Sequence, residues 1–326
     1  MLKKALKSLG YRLCYGGKYD KRLLDHIKRN NLISILSFHQ VSPSGNTFWP
    51  PLRPKVFDEL LKYLKKHFEI VTLHELNLTT SKKPKLVLSF DDGYYDFIEY
   101  AMPILRKYGI RANQNVIPSQ LLGEKPLWNI RLYDFLSAAP ATLIREIHFP
   151  GFNASKIIKG SLSKLKFGLC ISKALKFLSA EERSAIMKDL EENLFTKLDY
   201  YPITRMLRLN EMSEVLAEHE VGVHSYSHDT MEKESMLRFS EDFKKCKDFF
   251  QKNNFPEMDI YAFPNGSYRE EQITYLKENG VQYVLLSGDQ YARPYQSPYH
   301  RFNIAGFSQF EAIFQALGIK HYLRNK

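Results

Sequence analysis

Two aspartates, Asp91 and Asp92, stand side by side at the end of an apolar, β-favouring run, KLVLSFDDG. Far along the chain two histidines, His224 and His228, stand four residues apart in HSYSH. Adjacent carboxylates at the end of a buried strand repel each other unless a cation, a proton or water intervenes. Two imidazoles at that spacing can be turned toward one ion by a helical turn or a tight loop, although the spacing alone also occurs on ordinary surfaces. Combined, two His and one Asp form a donor set for a divalent ion with positions left open for water and substrate. That is the arrangement of a hydrolytic metal rather than a structural one. One aspartate would bind the ion, whose charge offsets the cost of a second carboxylate beside it. The second aspartate could then act as base on water. Neighbours on an extended strand point to opposite sides, so a turn after Phe90 must bring both aspartates to the site, and Gly93 permits it.

Such groups need strands whose C-terminal ends converge, where α/β folds place their sites. Apolar runs predict strands within 31–41 and over 69–73, 85–90, 111–117, 220–224, 260–263 and 282–286. The last residues of 85–90 and 220–224 lead directly into the acidic and histidine groups, and 260–263 leads into PNGSY. Between strands, Phe57, Leu60, Leu61 and Leu64 repeat on one helical face. Helices are also predicted over 96–108, 240–252 and 270–279. The first of these should end at Gly109, and Pro103 warns that its true start is later. Alternating strand and helix predicts an α/β fold with a parallel sheet, open or closed into a barrel. The stretch from about 121 to 208 reads as a helical insertion, and residues 1–30 as a basic segment ahead of a domain over 31–326.

The length of 326 residues allows one large domain or two ordinary ones. No apolar run reaches the length of a membrane-spanning helix. A net charge of +11 favours polyanions in general, but it is dispersed and comes with no zinc-finger or aromatic RNA-binding motif. A solvated basic surface is therefore expected, and nucleic acid is not an expected partner. Leu2, Ala5, Leu6 and Leu9 share a helical face with Lys3, Lys4 and Lys7 around it. That segment suits either peripheral contact with an anionic membrane or packing on the domain. Cys14, Cys170 and Cys246 are too few and too scattered for a disulfide framework. No apolar stretch follows the basic start, so no secretion signal is read, and a cytoplasmic location is expected.

SFDDG, HSYSH and YAFPNGSY, in that order, resemble the motifs of the polysaccharide deacetylase family, carbohydrate esterase family four. ISILSFHQVSP, VFDELLKYLKKHFEIVTLHEL and LNEMSEVLAEHEVGVHSYSH extend the resemblance over roughly 31–305. It implies a distorted β/α barrel with fewer than eight strands and matches the helical insertion only loosely. It also implies a divalent metal, commonly zinc, and hydrolysis of an N-acetyl group. By motif, Asp91 would be the general base and Asp92, His224 and His228 the metal ligands. The backbone N–H of Asn265, after Pro264, would help hold the oxyanion. Many members carry an arginine two residues before that proline, where this chain has Ala262. Arg301, in HRFNI, either orients Asp91 instead or is an ordinary surface arginine. The family's late Leu-x-His, source of the general acid, is not evident, and IKH at 319–321 is a doubtful substitute. In exopolysaccharide-deacetylase-like branches a histidine follows the first strand. His39 fits that position and is either part of the site, as acid, or a core or loop histidine. The expected substrate is an N-acetylated amino sugar in a polysaccharide or lipid-linked precursor. The alternatives are a lipid-linked sugar deformylase and a metal-containing sugar-binding module without chemistry.

Overall fold

The computed structural model describes residues 11–12, 15, 18–45, 48, 50–78, 82–123, 125–154, 164–176, 178–306 and 308–324. The amphipathic stretch around Leu2 to Leu9 lies outside them. The chain divides into two compact units, one made of 1–43, 51–123 and 207–326, the other of 44–50 and 124–206.

The larger unit is a barrel. Its strands are β1 (Ser34–Phe38), β2 (Glu69–Ile70), β3 (Lys85–Phe90) and β4 (Asn113–Val116), then, beyond the β5 and β6 of the second unit, β7 (Glu220–Val223), β8 (Ile260–Ala262), β9 (Tyr283–Ser287) and β10 (Tyr299–Asn303). All pair in parallel, in the order β1-β10-β9-β8-β7-β4-β3. β3 returns to β1 with Ser34 opposite Leu86 and Phe38 opposite Phe90, which closes seven strands into a ring. The short β2 pairs only with the start of β3 and stays outside the ring. Seven strands satisfy the expectation of fewer than eight. β10 has no counterpart among the predicted strands, because its central inward residue is Arg301 and its pattern therefore lacks an apolar alternation.

Period-two alternation sorts the strand residues into two layers. Ile33, Ile35, Val87, Ile260, Ala262 and Leu285 fill the barrel interior. Their neighbours Leu36, Phe38, Leu86, Leu88, Phe90 and Val223 face outward into a larger core with the surrounding helices. Helix Pro54–His67 gives that core Phe57, Leu60, Leu61 and Leu64, the predicted stripe. Helix Lys18–Arg29 adds Leu23 and Ile27. Interior packing is tight at Gly222, where a Cβ would lie 2.5 Å from both Asn115 Oδ1 and Ile260 Cγ2. Any side chain there would have to displace the Asn115 amide and the Ile260 side chain. After β3 the chain makes a π-helical turn, Phe97–Ala101, before the α-helix Met102–Tyr108 begins. Pro103 thus sits in a first turn, where its missing N–H has no partner to lose. Gly109, with φ +62°, ends the helix in a left-handed cap.

The second unit is mainly helical, with Trp128–Ala138, Lys164–Lys176 and Ala180–Asn193 and a small antiparallel pair, β5 (His148–Phe149) and β6 (Phe152–Asn153). Phe135, Phe167, Leu190 and Phe195 belong to its own core. Ser179 and Glu182 form a reciprocal capping box that starts its helix at Ala180. Among the described residues, no helix is long and apolar enough to cross a membrane.

Candidate metal and catalytic site

The inward column of each strand leads to the C-terminal mouth of the barrel. On β3 it runs Val87, Ser89 and then Asp91 just past the strand; β7 delivers His224 in the same way. Asp91 Oδ1 accepts hydrogen bonds from Arg301 NH1 and Asn115 Nδ2, each at 2.8 Å, and Oδ2 accepts one from Ser37 Oγ at 3.3 Å. Ser89 Oγ links the same groups, accepting from Arg301 NH1 at 3.0 Å and donating to Asn113 Oδ1 at 2.7 Å. Arg301 is 1% exposed, so it is a site-facing arginine and not a surface one. Burial by itself pushes the Asp91 carboxyl up. The Arg301 guanidinium more than reverses this and holds it well below the usual carboxylate range.

Asp92 departs from the strand direction at once. Its φ is +74°, the same as that of Gly93, so the turn starts on the aspartate itself and not only on the glycine. Aspartate tolerates this left-handed backbone better than most residues. The turn sends Asp92 toward the histidines, and its Oδ1 lies 3.5 Å from His224 Nε2 and 3.4 Å from His228 Nε2. One ligand atom from each of the three residues lies within 4.8 Å of the others. Asp92 Oδ1 is buried without a hydrogen-bond partner. His224 Nδ1 sits 2.7 Å from the Ala262 carbonyl. Only a protonated Nδ1 can make that bond, which leaves the Nε2 lone pair directed at Asp92. An orphaned carboxylate oxygen and an oriented imidazole are what a divalent cation requires of its surroundings. The residues present therefore fit such an ion.

His39 is the first residue after β1. Phe38 pairs with Phe90, and the Asp91 N–H donates to the Phe38 carbonyl at 2.9 Å, so His39 and Asp91 leave neighbouring strands at the same level. Pro264 and Asn265 form the turn after β8, with Asn265 at φ +57°. Asn265 Nδ2 donates to Thr230 Oγ1 at 3.2 Å, and Ser267 Oγ donates to Glu232 Oε2 at 2.6 Å. The turn is thereby tied to the segment that follows His228. His321 lies elsewhere. It packs edge-on against Tyr291 and lines a cavity with His26 and Leu32, before β1 and thus at the opposite end from His39. Sequence reasoning did not single out Asn115, Ser89 or Ser37. Asn113 and Asn115 did carry a signal, as alternate polar residues within a predicted strand.

The sequence and the barrel were compared with known proteins. A family model described as polysaccharide deacetylase matches residues 197–284, a segment that holds His224, His228, Pro264 and Asn265 but not Asp91, Asp92 or Arg301. YxkH of Bacillus subtilis (strain 168), named as a candidate polysaccharide deacetylase, is 38% identical over 86 residues. That alignment covers 24% of this chain and 30% of YxkH. The deacetylase PplD of Streptococcus pyogenes, solved with acetate, superposes with a TM-score of 0.55 at 17% identity, covering 88% of this chain and 98% of its own. IcaB from Ammonifex degensii gives 0.56 at 16% identity, with 88% and 97% covered. A de-N-acetylase from Aggregatibacter actinomycetemcomitans gives 0.51 at 14% identity, with 86% and 99% covered. The structural likenesses establish the fold, a distorted β/α barrel. The sequence matches show that residues 197–284, which carry the two histidines, are similar to polysaccharide deacetylases.

Proposed function

We propose that this protein is a metal-dependent carbohydrate deacetylase, a hydrolase that cleaves the linear amide of N-acetylated amino sugars in a polysaccharide or a lipid-linked glycan precursor. The observation that carries this reading is the convergence of Asp92, His224 and His228 beside a second carboxylate, Asp91, that takes no part in the cluster and is kept ionised. A site meant only to bind an ion would not need Asp91. The resemblance of residues 197–284 to polysaccharide deacetylases supports the acetyl amide as the bond cleaved.

Asp92, His224 and His228 are the residues that would hold the cation, and two imidazoles with one carboxylate suit zinc. When bound, zinc would supply Lewis acidity to the scissile carbonyl and make water easier to deprotonate. Asp91 receives the proton of the attacking water at its carboxylate, with Arg301 and Asn115 fixing its orientation. The backbone N–H of Asn265 would help hold the developing oxyanion. His39, level with Asp91 on the adjoining strand, delivers a proton to the departing amine. The sugar then leaves with a free amino group and acetate is released.

The test is acetate release from N-acetylglucosamine oligomers and from lipid-linked N-acetylhexosamines, with and without a chelator and after zinc is restored. Chelator-sensitive release that zinc recovers is the expected result. No acetate from any substrate while metal remains bound would overturn the deacetylase assignment. Formyl-sugar substrates run in parallel would then separate a deformylase from a binding module.

A further inference from the structure

The loop carrying the two histidines has an uncommon shape. Ser225 and His228 have φ of +58° and +62°. Residues with side chains hold such conformations where the surroundings impose them. Here the Tyr226 peptide is gripped at both ends. Its N–H points at both oxygens of Asp242, at 3.1 and 3.0 Å, and its carbonyl accepts the Ser119 N–H at 3.1 Å. Asp242 lies in helix Met236–Lys252 and is 1% exposed. One helical turn earlier, Arg238 pairs with Asp229, the residue directly after His228, at 3.4 Å. One helix thus holds the loop at its midpoint and just beyond its second histidine.

We propose that Asp242 is a positioning residue for the metal centre, its carboxylate fixing the Tyr226 peptide so that the imidazoles of His224 and His228 both face Asp92. The proposal rests on reading Asp92, His224 and His228 as the metal ligands. An aspartate suits the task because both of its oxygens lie within hydrogen-bond distance of the one N–H. Asparagine keeps the shape and one acceptor, and alanine keeps neither. Partners that orient a metal's ligands affect metal affinity by about 10–100-fold.

The experiment compares the wild-type chain with Asp242→Asn, Asp242→Ala and Phe250→Leu. Phe250 is a buried residue of the same helix that packs against Phe255, away from the loop. Zinc affinity is measured by chelator competition, ligand geometry by the visible spectrum of the cobalt(II) form, and folding by thermal melting. Asp242→Ala is expected to weaken zinc about 10–100-fold and to alter the cobalt spectrum. Asp242→Asn should do both to a smaller extent, and it serves if the alanine variant does not fold. Phe250→Leu should lower the melting temperature and leave affinity and spectrum unchanged. Folded Asp242 variants with wild-type affinity and spectrum would overturn the proposal, as would an equal loss of affinity in Phe250→Leu. A wild-type chain that binds no divalent cation would instead overturn the underlying metal-site reading.

Discussion

Asp91 and Asp92 are chemically alike and adjacent, and their environments separate them. Asp91 meets a guanidinium, an amide and a hydroxyl, whereas one oxygen of Asp92 meets no hydrogen-bond donor and two imidazoles. Asp91→Asn is therefore expected to retain zinc in a chelator-competition titration while hydrolysis falls by at least about 10²–10⁴-fold, the usual contribution of a general base. His224→Ala should lose both. Removing Arg301 takes away the main influence that opposes burial at Asp91, so the folded-state pKa must rise. In the wild type Arg301 holds the carboxyl below its usual range. With Arg301→Met the acid limb of the kcat/KM profile should move to higher pH, and Arg301→Lys should bring part of it back. If His39 protonates the leaving amine, His39→Ala will slow amide cleavage far more than cleavage of an acetyl ester with a good leaving group, which needs no proton. Equal slowing of both would remove His39 from that role. At this scale the sequence is most legible where chemistry is concentrated, as in DDG and HSYSH. It is least legible where a partner arrives through the fold: Arg301 lies 210 residues from the aspartate it touches, and Asn115 looks like any polar strand residue.

Strands were readable where apolar residues dominate, so β3 begins and ends as the pattern of 85–90 predicts. β10 was not, because Arg301, buried against Asp91, interrupts the apolar signal used to recognise a strand. The opposite end of the barrel has its own polar cluster. His74, after β2, reaches Glu220 of β7 at 2.5 Å and Asp259, before β8, at 2.8 Å. Its hydrogen bonds to Asp259 and then to Glu220 raise its pKa to about 10 against the effect of burial. A histidine whose folded pKa exceeds its unfolded value of about 6.5 stabilises the fold fully below that value. The contribution disappears as pH rises through about 10. The side chain is half exposed, so water screens the pair and the effect is at most about 1 kcal/mol. His74→Gln should lower the denaturant midpoint at pH 6, and the wild-type and variant midpoints should converge above pH 10. A gap that persists unchanged at high pH would show that the histidine acts by shape and not by charge.

For the whole molecule, alternation of strands and helices left the sheet open or closed, and the resemblance to known deacetylases supplied the barrel. Closure depends on β1 pairing with β3 past β2, a non-local choice that no run of residues announces. A ligand that binds only the folded chain stabilises it by mass action. Zinc at a thousand times its dissociation constant should add about 4 kcal/mol to the unfolding free energy, visible as a higher melting temperature that a chelator reverses. Asp92→Asn should remove most of that gain. An identical zinc-dependent rise in Asp92→Asn would locate the ion elsewhere.

Arg301 sits on the last strand of the ring, which has a consequence for how the protein is made. During translation Asp91 emerges 210 residues before Arg301. At about 5–20 residues per second that interval is about 10–40 s. Throughout it, the nascent chain holds an aspartate without its guanidinium and a ring without its closing strand. A product released before β10 would contain Asp91, Asp92 and both histidines but lack the guanidinium that faces Asp91. The charge balance at Asp91 is therefore completed only once β10 has been made, later than Asp92, His224 and His228.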